Sequence, residues 1–215
     1  MSALLNIIPI DSKPRRNPVR HYAATDLPHF SVAELKTFLD AAQKHGRREF
    51  AMFLTGFCQG MRCSEIANLK LANIRDGKIY VERLKGSNST WAEMFRVLGY
   101  DQAHIVELWL KERAAWNGAA ESDAVFISQK GGQLDRSQIF RLFVQVCEEA
   151  GIPKELRHPH VLRHSFGFIS RQQGCELEVT QMGLGHKSIA STGIYTRVTR
   201  KEADKELKKA FKGLR

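Results

Sequence analysis

The stretch PHVLRHSFGFISRQQG at 159–174, followed by MGLGHKSIASTGIYTRV at 182–198, decides how this chain is read. It sets His160 and Arg163 three residues apart, then places His186 and Tyr195 nine apart. Pro159 suits the first turn of a helix, where its missing N–H is not needed. His160 and Arg163 then lie at i and i+3, on one face, able to reach one anion together. Working outward, GMRCSEIANL (60–69) adds Arg62 and Glu65, and RLKGS (83–87) adds Lys85.

These residue types suit one kind of chemistry. A phosphodiester resists attack because its anionic oxygens repel nucleophiles and its alkoxide leaves poorly. Cations on the oxygens and a proton donor on the leaving group answer both problems. Arginine serves better than lysine on the oxygens, since its planar fork binds two at once. Arg62 and Arg163 supply two forks, and Tyr195 supplies a nucleophile. Lys85, His160 and His186 remain for protons and hydrogen bonds. His158, His160 and His164 are crowded together, but no carboxylate or cysteine box accompanies them, so no metal site is expected.

Charge points the same way. Of 215 residues, 33 are Lys or Arg against 23 Asp or Glu, a net charge of +10 that favours a polyanionic partner. The hydrophobic share, 43%, suits one ordinary core. Cys58, Cys63, Cys147 and Cys175 show no C-x-x-C spacing and read as reduced thiols. MSALLNIIPI is too short to span a bilayer and lacks a basic leader, so a cytoplasmic protein with no membrane partner is expected.

The pattern predicts a mostly α (α+β) domain with a small antiparallel sheet. Residues 1–30 read as a basic arm broken by prolines, with Lys13, Arg15 and Arg16 as DNA-binding candidates. Ser31 and Glu34 have capping-box spacing ahead of a helix that stops at Gly46. A second, apolar helix runs to about Gly60, and Ser64 is expected to cap a short one through Leu69. Asp76-Gly77 marks a tight turn before the strand KIYVERL, with residues 93–98 as its expected partner. Helices are expected at 101–116, 135–150, 159–173, 176–184, 188–193 and 200–213. Arg136 and Arg141, on the 135–150 helix, are further DNA-binding candidates.

Taken in order, the boxes resemble the catalytic domain of the tyrosine recombinases, also called phage-type integrases. The likeness runs from Ser31 to the C-terminus. Its pattern is Arg, Lys, His-x-x-Arg, His or Trp, and Tyr. RLKGS followed by Ser and Thr is most similar to the compact fimbrial-type DNA invertases. The resemblance implies a catalytic domain at 31–199 and a helix at 200–215 that is exchanged between protomers. It implies duplex DNA as partner, a synaptic homotetramer, accessory DNA-bending proteins and no cofactor.

By the same resemblance Tyr195 attacks the scissile phosphate to form a 3′-phosphotyrosyl bond. Lys85 protonates the leaving oxygen and His160 accepts the phenol's proton. Arg62 and Arg163 hold the non-bridging oxygens and His186 donates a further hydrogen bond. Glu65 orients an active-site partner, and His164 packs or hydrogen-bonds beside the site. Two departures stand out. EMFRVLG (93–99) replaces the family's valine-proline-leucine strand end, which leaves the sheet register open. The 30-residue arm stands where family members carry a helical DNA-clamping domain. A type IB topoisomerase and a non-catalytic DNA-binding regulator of the same fold are the rival readings.

Overall fold

In the computed structural model the described residues are 27–84 and 87–195, together with Lys208 and Lys212. The expectations placed on Lys13, Arg15, Arg16 and Lys85, and on nearly all of 200–215, lie outside them.

The first helix, α1 (Val32–His45), starts with its predicted box. The Ser31 hydroxyl accepts from the Glu34 amide, and the Glu34 carboxylate accepts from the Ser31 amide at 2.8 Å. Gly46 separates it from α2 (Arg47–Cys58), in which every residue from Arg48 to Cys58 is buried. A helix enclosed on all sides is a core element. It is packed by α1, by α4 (Gln102–Arg113) and by α6 (His160–Gln172).

Phenylalanines fill the centre. Phe38 and Phe53 each pack on Phe143 of α5 (Arg136–Glu149), with ring centroids 4.9 and 5.6 Å away. Phe30 joins them, fully buried, its amide donating to Ser165 Oγ at 2.7 Å. Beside it His29 stacks on Phe168 at 4.0 Å. The packed domain therefore begins ahead of Ser31, and Phe30 belongs to the core rather than to an arm.

Three local expectations are corrected. The short helix α3 (Cys63–Ala67) is capped at Arg62 instead of Ser64, and it stops before Leu69. The reason is Glu65, whose carboxylate reaches back to accept from the Arg62 amide at 2.8 Å. The second concerns the sheet. Asp76 and Gly77, at φ 50° and 71°, turn the chain between β1 (Ile74–Arg75) and β2 (Lys78–Val81) as predicted. The partner of β2, however, is β3 (Thr90–Glu93), which shares only Glu93 with the expected 93–98. Tyr80 stands opposite Trp91 with centroids 5.4 Å apart, and this cross-strand aromatic pair fixes the register. Leu98 and Gly99, at φ 52° and 85°, make a turn of their own between β4 (Arg96–Val97) and β5 (Tyr100–Asp101).

The third correction falls at 188–193, where two short 3₁₀ turns, Ile189–Ser191 and Gly193–Tyr195, replace the expected helix. Six residues that include Ile189, Thr192 and Gly193 offer too few turns to offset helix nucleation. The helices expected at 101–116, 135–150, 159–173 and 176–184 fall where predicted. Asp101 caps α4 and Asp135 caps α5, while Gly185, left-handed at φ 67°, ends α7 (Leu177–Leu184). Among the described residues the result is a helical domain with two small antiparallel sheets.

Candidate active site

The cap of α3 is also the floor of the site. Having taken the Arg62 amide on Oε2, Glu65 takes Arg62 Nη1 on Oε1 at 2.8 Å. Arg163 approaches from α6, its Nη1 4.0 Å from Glu65 Oε2. The two guanidinium groups thus converge on one fully buried carboxylate. Arg163 is itself buried and donates to the carbonyls of Gly60 and Leu184. Arg62 is half-buried, with a further bond from Nη1 to Ser87 Oγ at 3.3 Å.

His186 follows the C-terminus of α7. Its Nδ1 lies 2.9 Å from Thr192 Oγ1, and its carbonyl accepts from Gln181 Nε2 at 2.9 Å. The β2–β3 connection docks here: Ser87 bridges to His186, and the Asn88 amide donates to the Gly185 carbonyl at 2.8 Å. Elements distant in sequence are thereby brought to one place.

Tyr195 ends the second 3₁₀ turn and is 3% exposed. Its ring lies on α6 at Gly167, where a Cβ would come within 2.7 Å of the phenol ring. Phe168 meets the ring edge-on at 5.2 Å. The hydroxyl lies 3.1 Å from His164 Nδ1. The imidazole in contact with the phenol is therefore that of His164, while His160 packs against His164 at 4.6 Å between ring centroids.

Burial sets the protonation of these groups. It pushes the Tyr195 hydroxyl up to about 12, although Arg163 and Arg62 pull the other way. Desolvation, then the charges of Arg163 and Arg62, lowers His160 to about 4 even though the residue as a whole is exposed. Desolvation followed by neighbouring positive charge lowers His164 and His186 to about 3. Burial alone would raise Glu65, but the Arg62 amide, Arg83 and Arg163 hold it below its ordinary value. The site at neutral pH is cationic arginine, anionic Glu65, neutral imidazole and neutral phenol.

A pH dependence follows. The unfolded chain protonates these histidines near their ordinary 6.5, ahead of the folded one. Their contribution to stability is full above about 6.5 and is lost as the pH falls toward 3–4. Thermal unfolding midpoints measured from pH 7.5 down to 4 should decline across that window. A flat profile would show that the imidazoles are not held neutral.

Of the other candidates, Arg136 shares a cleft of about 410 Å³ with Arg62, Phe140, His158 and His160. Arg141 does not. Five residues further along α5, about 140° around the helix, it lines a separate depression with His45, Arg47 and Lys130. Lys85 lies outside the described residues. Among the described residues no group of three or more His, Cys, Asp or Glu could hold a metal ion.

Sequence reasoning missed Arg83. Its guanidinium is buried against Glu65, with Nη1 3.0 Å from Oε2. The signal was present: Ile79, Val81 and Arg83 alternate onto the inward face beyond the end of β2. Thr192, which holds His186, was also missed and carries no local signal.

Residues 26–202 match the phage integrase family. The chain is 37% identical over 153 residues to the type 1 fimbriae regulatory protein FimE of Escherichia coli K12, covering 70% of this chain and 75% of that one. It is 34% identical over 181 residues to the tyrosine recombinase XerD of Pseudomonas putida, covering 79% of this chain and 57% of that one. Its fold matches the site-specific recombinase XerH, solved bound to its difH substrate, with a TM-score of 0.70 and 24% identity. That match covers 84% of this chain and 54% of XerH.

Proposed function

The chain belongs to the phage integrase family and is a tyrosine site-specific recombinase; from that premise we propose how its residues divide the work. Tyr195 Oη attacks the scissile phosphorus. The new P–O bond forms as the bond to the 5′ oxygen breaks. His160 takes the phenol's proton and Lys85 gives one to the departing 5′ oxygen. Arg62 and Arg163 hold the non-bridging oxygens, His186 adds a hydrogen bond, and Glu65 orients the arginines. One phosphoester replaces another, so the step needs no ATP. A 5′-hydroxyl from a second strand reverses the attack, and partners exchange through a Holliday junction.

The observation that carries this reading is the meeting of Arg62 and Arg163 on Glu65, within electrostatic reach of Tyr195. With Arg83 added, three guanidinium groups face a single carboxylate. An arriving phosphate would offset the positive charge left over. Because Tyr195 rests against His164, that imidazole holds the phenol until DNA arrives, and His160, open to the cleft, receives its proton.

Duplex DNA is the partner that the net charge and the family support. Arg136 stands in the cleft beside Arg62 and is assigned to the DNA backbone; Arg141, set apart, keeps only a weaker claim to it. Lys13, Arg15 and Arg16 are assigned to the flanking duplex. Synapsis by a homotetramer, with accessory DNA-bending proteins, completes the reading, and segment 200–215 would dock into a neighbouring protomer. Deletion after Thr199 should then spare DNA cleavage and abolish synaptic complexes on native gels; unchanged synapsis counts against the exchange. Action in the cytoplasm is proposed on the ground that the partner is duplex DNA; no helix among the described residues is long and apolar enough to cross a membrane.

The test is covalent trapping. The protein is incubated with a pool of nicked duplexes whose cleaved ends diffuse away, the adducts are isolated, their DNA is sequenced and the modified peptide is identified. One recurrent DNA sequence joined to Tyr195 is expected. No adduct, or an adduct on another residue, sinks the assignment.

A further inference from the structure

Behind the two arginines expected to hold the phosphate stands Arg83, whose side chain is 2% exposed. Its Nη1 donates to Glu65 Oε2 at 3.0 Å and to the Gly60 carbonyl at 3.1 Å. Its Nη2 donates to the carbonyls of Gln59 at 2.6 Å and Gly183 at 2.7 Å. Arg163 uses the same or adjacent acceptors, Gly60 and Leu184, and approaches the same Glu65 oxygen. The two arginines are parallel ties from the end of α2 to the end of α7. The other Glu65 oxygen is left for Arg62 Nη1 at 2.8 Å and the Leu84 amide at 3.3 Å.

Stability alone is a poor reason for this arrangement. Arg83 Nε is buried with no partner, which costs stability. Well-packed apolar residues often match or exceed a buried ion pair in stability. An apolar residue at 83 would continue the inward row of Ile79 and Val81. What only a guanidinium can do here is hold Glu65 Oε2 and three carbonyls at once. Without it, Oε2 is open to Arg163 or to a second bond from Arg62, and either shift draws a cation off its post.

Resting on the recombinase reading above, we infer that Arg83 is a positioning residue for strand cleavage. It fixes Glu65 and the ends of α2 and α7 so that Arg62 and Arg163 stand ready for the non-bridging oxygens. Being buried, it acts through them and not on the phosphate.

Arg83→Met and Arg83→Lys test this in single-turnover cleavage of the duplex sequence recovered by trapping. One substrate carries the natural scissile phosphodiester. In the other a methylphosphonate replaces it, so that one anionic oxygen is missing and less cationic stabilisation is required. The bonds made and broken are the same in both. Arg83→Met should bind the duplex within about threefold of wild type and cleave the phosphodiester about a hundredfold more slowly. Most of that deficit should disappear on the methylphosphonate, with Arg83→Lys intermediate.

A merely structural arginine predicts the same fractional loss on both substrates, and that result overturns the proposal. So does wild-type cleavage by Arg83→Met. If Arg83→Met does not fold, Arg83→Lys decides by the same ratio, and loss of folding in both assigns Arg83 to stability alone. Wild type that forms no adduct on any duplex refutes the recombinase reading itself, and the proposal falls with it.

Discussion

Tyr195→Phe is expected to abolish covalent protein–DNA product on every duplex while leaving DNA affinity within about a factor of two of wild type. The change removes one oxygen from a side chain that is otherwise held by its ring. Gly167 beneath it and Phe168 at its edge are untouched, so the phenylalanine should occupy the same place. The structural loss is the bond to His164 Nδ1, 3.1 Å away in a buried setting, worth about 1 kcal/mol. The chemical loss is total, because no phosphotyrosyl bond can form. Denaturing gels for the adduct and anisotropy for binding separate the two quantities. A variant that still forms adducts would move the nucleophile elsewhere. One that loses binding as well would mean that the tyrosine contributes to holding DNA.

Much of this site can be read from the chain because its parts are packaged locally. Arg62 and Glu65 lie three residues apart at the start of a helix, and the same spacing that makes the cap makes the ion pair. His160 and Arg163 follow Pro159 on one helix. What escaped depends on distance. The β2–β3 register is set by Tyr80 against Trp91, across a connection of eight residues, 82–89, whose length does not itself fix the pairing. Arg83 escaped because a charged residue near the end of a strand ordinarily points to water. Only Glu65 and the carbonyls of Gln59, Gly60 and Gly183, contributed by other elements, give it a reason to be buried.

Arg136 and Arg141 show the limit of composition on a single helix. Both are basic and both were candidates for DNA, yet helical geometry sends them to different clefts. His164 shows a limit of another kind. The spacing that marks His160 and Arg163 is silent about which imidazole the phenol will rest on. The contact is decided by Gly167, which lets Tyr195 settle on α6 within reach of His164.

The second large effect separates the two arginines of the pair. Arg163→Ala and Arg62→Ala should each slow cleavage about a thousandfold or more, the range seen when a cation or donor on a developing oxyanion is removed. Their effects on folding should differ. Arg163 is 1% exposed and ties Gly60 to Leu184, so alanine leaves a cavity, the Leu184 carbonyl without its guanidinium donor, the Gly60 carbonyl with that of Arg83 alone, and Glu65 with one fewer cation. A loss of about 3 kcal/mol is expected. The Arg62 side chain is 31% exposed, and Glu65 would keep its contacts to Arg83 and to the Arg62 amide, so a loss of about 1 kcal/mol is expected. Arg163→Lys restores the charge but cannot span both carbonyls and an anion, so it should recover some stability and little cleavage. Urea denaturation and single-turnover cleavage of the same three variants check the ordering. Equal destabilisation by the two alanines would place Arg163 outside the buried position that ties α2 to α7.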